Sequence, residues 1–232
     1  MEGSRRIGCE GGAKVTALHL VIGNKNYSSW SLRPWIALTM AGIPFTETVV
    51  LLDRPDTKRN IAQHSKAGRV PVLHHGKLVI WESLAILEYL AEAFPKKNLW
   101  PKSRAARAVA RSVCNEMHAG FSALRTACPM NLRRPRKPIS LSEEARADCR
   151  RIEEIWLTCR KQHGGRGKFL FGRFTNTDAM FAPVVARFDT YAIKVAADTR
   201  AYMEAMLSTP AFRAWQKAAL SETEILLRDE VS

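Results

Sequence analysis

The spacing of apolar residues changes once along this chain, near residue 100, and that change limits the folds open to it. Beyond it, Val109, Val113, Met117, Phe121 and Leu124 form one stripe at steps of three or four. Ala145, Cys149, Ile152, Trp156 and Cys159 form a second, and Met180, Val184, Phe188, Tyr191 and Val195 a third. Each is the buried face of an amphipathic helix, so the second half is predicted to be all-helical. Before residue 100 the runs are short and mixed. Residues 15–23 (VTALHLVIG) and 45–52 (FTETVVLL) read as strands, and residues 31–42 as a helix stopped by Gly42. Residues 70–74 (VPVLH) and 78–81 (LVIW) flank His75-Gly76-Lys77 as a hairpin, and residues 83–93 (SLAILEYLAEA) read as a helix. With a fainter helix before the hairpin the order is βαβαββα, a small mixed sheet with helices packed on it. The expected division is a loose tail over residues 1–15, an α/β domain over 16–94, a linker over 95–104 and an all-α domain over 105–232.

At 232 residues the chain suits one large or two small domains, and 46% hydrophobic residues exclude a disordered one. No apolar run approaches the ~20 residues of a membrane span. The opening MEGSRRIGCEGGAKVTA lacks the apolar core of a secretory signal, so a cytoplasmic location is expected. Cys9, Cys114, Cys128, Cys149 and Cys159 are odd in number and contain no CxxC, which points to reduced thiols and to no metal site. Lys plus Arg outnumber Asp plus Glu 36 to 22, a formal charge of +14 that attracts nucleic acid, acidic membranes or small anions. The charges are spread over both halves, so a solvated surface explains most of them and nucleic acid is disfavoured. The run RRPRKP at 133–138 reads as an exposed connection.

Three local features carry chemistry. The first is Asn26-Tyr27-Ser28-Ser29-Trp30-Ser31, between the first strand and the first helix. Serines there can cap the helix, or can offer hydroxyls beside its positive end to a bound anion such as a thiolate. No His or Lys stands near enough in sequence to make either serine a hydrolytic nucleophile. The second is Arg69-Val70-Pro71-Val72-Leu73, where a proline in a strand marks an edge, or a cis bond that turns the Val70 N–H and C=O toward an extended peptide. The third is Trp81-Glu82-Ser83 before a helical stripe. These residues can serve the helix end, or Glu82 can pair with a ligand's ammonium while Ser83 receives its carboxylate.

In this order the three features resemble the cytosolic glutathione transferase superfamily, from about Leu18 to near the C-terminus. SSWSLRPWIAL is similar to SSCSWRVRIAL of the zeta class, which includes maleylacetoacetate isomerases. Gly172 to Ala179 (GRFTNTDA) is similar to the family's capping box, with Thr175 and Asp178 as its partners. The resemblance implies a thioredoxin-like first domain and an all-helical second one, glutathione as co-substrate, a small electrophile as second substrate, and a homodimer. It also implies that Ser28 or Ser29 activates the sulfur. Val70, with Pro71 and Arg69, would hold the cysteinyl backbone, and Glu82 and Ser83 the γ-glutamyl end. Lys58, Arg59 and His64 are the candidates for the glycyl carboxylate. Trp30 stands where the zeta class has a cysteine, which weighs against the isomerase and against thiol oxidoreduction. The expected activity is conjugation. Cis–trans isomerisation and a non-catalytic binding module are the alternatives.

Overall fold

The computed structural model describes residues 17–231. The expected tail, Cys9 and the first two residues of the expected first strand lie outside them. Strand β1 (Leu18–Gly23) leads into helix α1 (Ser29–Ala41), strand β2 (Phe45–Val50) and the short helix α2 (Thr57–Ala62). Strands β3 (Val72–His75) and β4 (Leu78–Trp81) form the hairpin, and helix α3 (Ser83–Ala93) follows. The sheet order is β2-β1-β3-β4. β2 runs parallel to β1, with Leu18 opposite Phe45, while β3 is antiparallel to both β1 and β4.

The period of two along β1 decides what covers each face. Leu18, Leu20 and Ile22 join Leu73 in the main core with residues of α1 and α3, whereas Val21, Val50 and Val72 pack with Ile61 of α2. Gly42 closes α1 at φ 59°, a left-handed conformation that glycine adopts without a Cβ clash. The turn at Gly76 (φ 60°) closes the hairpin where the sequence places it.

The second half contains α4 (Arg104–Ala119), α5 (Ser122–Ala127), α6 (Glu143–Cys159), α7 (Asn176–Thr190), α8 (Ala197–Leu207) and α9 (Pro210–Leu220). Helix α7 is buried from Asn176 to Phe188 and packs on α1, α4 and α8, so one core runs through both halves. Asp178 anchors its start by accepting from the amides of Thr175 (2.8 Å) and Leu170 (3.1 Å) and from the Thr175 hydroxyl (3.0 Å). The expected capping box is present. Asn176 ties α7 to the first half, its amide bonding the Leu99 carbonyl and its side chain the Leu87 carbonyl, each at 2.8 Å.

Three expectations need correction. The first helical stripe is not one helix: α4 stops at Ala119, and Phe121 takes φ 59° before α5 begins. A side chain at Gly120 would meet the Glu116 carbonyl at 2.8 Å, so the chain breaks at the one residue that fits. The third stripe outruns α7, with Tyr191 and Val195 beyond its end. The basic run is only partly an exposed connection. Arg133 is half-buried and bonds the Tyr27 hydroxyl at 2.9 Å and the carbonyls of Glu222 and Glu224.

Candidate active site

The β1–α1 turn presents the serines at the junction of the two halves. Ser28 occupies the position before α1, yet its side chain makes no cap bond. Instead its hydroxyl lies 2.7 Å from that of Ser31, which accepts the Gly23 amide at 3.1 Å. The helix start therefore keeps its positive end without a side-chain cap. Ser28 is buried and Ser29, the first helical residue, is half-buried. The turn is held from behind by the C-terminal segment: Glu222 accepts the amides of Lys25 (2.6 Å) and Asn26 (2.9 Å). Glu230 bonds the Tyr27 hydroxyl at 2.5 Å.

Both serines open onto a cleft of about 860 Å³. Lys58, Arg69 and Val70 line its sheet side, and Arg125, Arg187 and Asp229 its helical side. Beside it lies a recess of about 380 Å³ that shares Trp30, Arg69, Val70 and Arg125 and adds Pro71, Glu82 and His118. The Val70–Pro71 peptide bond is cis. Glu82 sits at φ 68°, a region that non-glycine residues rarely occupy and that is frequent at functional positions.

The helical wall is cationic to an unusual depth. Arg33 (2% exposed) and Arg187 (6% exposed) are buried without a carboxylate partner among the described residues. Arg187 donates to the Cys128 and Pro183 carbonyls; Arg33 donates to the Ser83 hydroxyl at 3.3 Å and leaves its Nε unpaired. Burial, and then the neighbouring arginines, pull the Arg33 pKa down to about 9; burial and Arg125 bring Arg187 to about 10. Both remain charged at neutral pH. The guanidinium groups of Arg33 and Arg125 lie 4.2 and 5.1 Å from the centre of the Trp30 ring. Burying unpaired cations is costly, and a bound anion would offset that cost. On the same side burial raises the pKa of Asp229.

Residues 27–93 match the family model for the glutathione S-transferase N-terminal domain. A glutathione transferase homologue from Burkholderia, solved with bound glutathione, superposes on 88% of this chain and 98% of its own with a TM-score of 0.66 at 22% identity. The fold is that of the glutathione S-transferases. Glutathione S-transferase 1 of Dianthus caryophyllus is 33% identical over 105 residues, 45% of this chain and 48% of that protein. A "Probable maleylacetoacetate isomerase" of Caenorhabditis elegans is 35% identical over 97 residues, 42% of this chain and 45% of that protein. The matched stretch thus spans about half the length of these curated relatives.

Within this transferase fold, Ser28, Ser29, Lys58, Arg69, Val70, Pro71 and Glu82 come together around the two connected recesses. Three expected residues do not. Ser83 is 0% exposed and its hydroxyl accepts from Arg33, because the helix start turns it into the core. His64 packs with His19 and His74 on the α2 face of the sheet, ring centroids 6.1 and 5.9 Å away. Among the described residues no group of His, Cys, Asp or Glu is arranged to hold a metal ion. Arg59 is exposed and lines neither recess. Arg125, Arg187, His118 and Asp229 were missed from the sequence, and no local pattern marks them. No helix among the described residues is long and apolar enough to cross a membrane.

Proposed function

We propose that this protein is a glutathione transferase of the serine type, joining the sulfur of reduced glutathione to a small electrophile. The observation that carries the reading is the buried Ser28 hydroxyl at an uncapped helix start, inside a cleft whose opposite wall is helical. Glutathione would lie across the end of the sheet where β1 and β4 finish and β3 begins. Val70 pairs with its cysteinyl backbone, Glu82 holds its ammonium, and Lys58 and Arg69 attract its glycyl carboxylate. The Ser28 hydroxyl donates to Ser31, which is fixed by the Gly23 amide, and on binding glutathione it would turn that proton to the sulfur. A lone serine hydroxyl is no base at neutral pH; it lowers the thiol pKa by donating a hydrogen bond to the thiolate. A fall of about two pKa units takes about 2.7 kcal/mol. One charge-assisted hydrogen bond (about 1.5–3 kcal/mol) and a helix-end contribution of about 0.3–1 kcal/mol supply that amount. The thiol proton leaves to solvent, the thiolate forms a carbon–sulfur bond, and the leaving group departs with its electron pair. Homodimerisation belongs to the same reading, with edge strand β4 exposing Leu78 and Trp81.

A second reading is favoured by Arg125 and Arg187, which suit an acid-bearing substrate. In it the thiolate adds to a carbon–carbon double bond, the adduct rotates and the thiolate leaves, giving cis–trans isomerisation. The isomerase relative supports this and Trp30 weighs against it. The test is incubation with glutathione and a panel of neutral and carboxylate-bearing electrophiles, with products read by mass. Protein-dependent thioether adducts are expected. Protein-dependent isomers without net adduct select the second reading, and glutathione binding with neither product leaves a non-catalytic binding module.

A further inference from the structure

His118 belongs to the last turn of α4, far in sequence from the sheet, yet it reaches the recess that holds Glu82. Its Nε2 lies 3.8 Å from Oε2 of Glu82, beyond hydrogen-bond distance. Its Nδ1 is buried with no hydrogen-bond partner among the described residues, none of which fixes the tautomer from behind. The ring stands edge-on to Trp30, centroids 5.2 Å apart, which fixes its plane. The charged groups around it are Arg33 of α1, Arg125 of α5 and Arg69 of the loop before β3. Glu82 is the one carboxylate among them.

Two acceptors separated by 3.8 Å can both lie about 2.9 Å from a single nitrogen placed between them. We propose that His118 is a second ligand, with Glu82, for the ammonium of the γ-glutamyl end of glutathione. The Nε2 lone pair accepts one N–H, the Glu82 carboxylate accepts another, and Nδ1 carries the imidazole proton. The proposal rests on the glutathione reading above and adds to it a binding residue from the helical half.

This role requires a neutral ring. Burial, then Arg33 and Arg125, hold the His118 pKa below the ordinary imidazole value, against the opposing pull of Glu82. The ring is therefore neutral above the ordinary imidazole pKa of about 6.5. An imidazolium would pair with Glu82 and repel the ammonium, so proton and ligand compete. Affinity falls as acid is added, and below the pKa of His118 in the free protein the dissociation constant climbs toward tenfold per pH unit.

The experiment is calorimetric titration of the full chain with reduced glutathione from pH 7.5 to 5.5, above the ordinary carboxylate pKa of about 4.3. It compares wild type, His118→Gln and His118→Leu. It also titrates wild type with an analogue in which hydrogen replaces the γ-glutamyl amino group. Wild type is expected to weaken as pH falls. His118→Gln keeps an acceptor and loses the acid-side weakening. His118→Leu weakens binding at pH 7.5 about tenfold, as expected for one hydrogen bond to a charged group. The analogue binds weakly and without pH dependence, a result that needs no variant to fold. An acid-side weakening equal in wild type and His118→Gln overturns the proposal, as does its persistence with the analogue or binding by folded His118→Leu at pH 7.5 equal to wild type. If wild type binds no glutathione at pH 7.5, the functional reading itself fails and the proposal falls with it.

Discussion

Replacing Ser28 with alanine removes one oxygen from the start of α1, and the structure limits what else can change. Among the described residues the Ser28 hydroxyl has one hydrogen-bond partner, Ser31 at 2.7 Å, and Ser31 keeps its bond from the Gly23 amide at 3.1 Å. The stability cost is that of one ordinary hydrogen bond, about 0.5–1.5 kcal/mol. The functional cost is larger, because a donor to a thiolate is worth about 1.5–3 kcal/mol, which corresponds to about one to two pKa units. Ser28→Ala should therefore raise the pKa of bound glutathione by about that amount and lower turnover below the new pKa at least about 10-fold. Ser29→Ala should do less, since that side chain sits on the first helical residue and is more exposed. The assay is the ultraviolet absorbance of the bound thiolate against pH, beside turnover with one electrophile. A midpoint that moves only in Ser29→Ala assigns the role to the other serine. A midpoint unmoved in both, with glutathione still bound, refutes the serine mechanism and leaves activation to the amides of the helix start.

Two further outcomes are expected. Burial lifts the Asp178 pKa to about 6, above an unfolded value near 4, so its contribution to stability is full below the lower value and is lost as pH rises through the upper one. The cost of Asp178→Asn, measured by urea unfolding, should therefore shrink by about 2 kcal/mol between pH 4 and 7, and a constant cost would contradict this. Arg187→Met should lower kcat/KM for carboxylate-bearing electrophiles about 10-fold or more while sparing neutral analogues, the value of one charged hydrogen bond. An equal loss for both classes would make Arg187 a packing residue.

The parts of this molecule that were legible in sequence are those written locally. Gly42, the hairpin at Gly76, and the Thr175–Asp178 capping box each depend on residues within a turn of one another, and each is where the sequence places it. The break between α4 and α5 was not legible, because Phe121 and Leu124 continue the apolar spacing while Gly120 ends the helix. The serine turn was recognisable, but not its support: Glu222 and Glu230 return from the far end of the chain, and Arg133 binds the same segment. The charged wall was hidden for the same reason. Arg33, Arg125 and Arg187 lie on three helices and become neighbours only when α7 packs against α1. Side-chain direction was the remaining loss, since Ser83 and His64 sit in the right segments but face away from the cleft.

The central claim is that the recesses at the end of the sheet bind glutathione through Glu82, and one measurement tests it most directly. Calorimetric titration with reduced glutathione at pH 7.5 should show one saturable site per chain in the wild type. The dissociation constant should rise at least about 10-fold in Glu82→Gln, the loss of a charged hydrogen bond worth about 1.5–3 kcal/mol. No saturable heat from the wild type, or equal constants for the two proteins with the variant folded, would contradict the account.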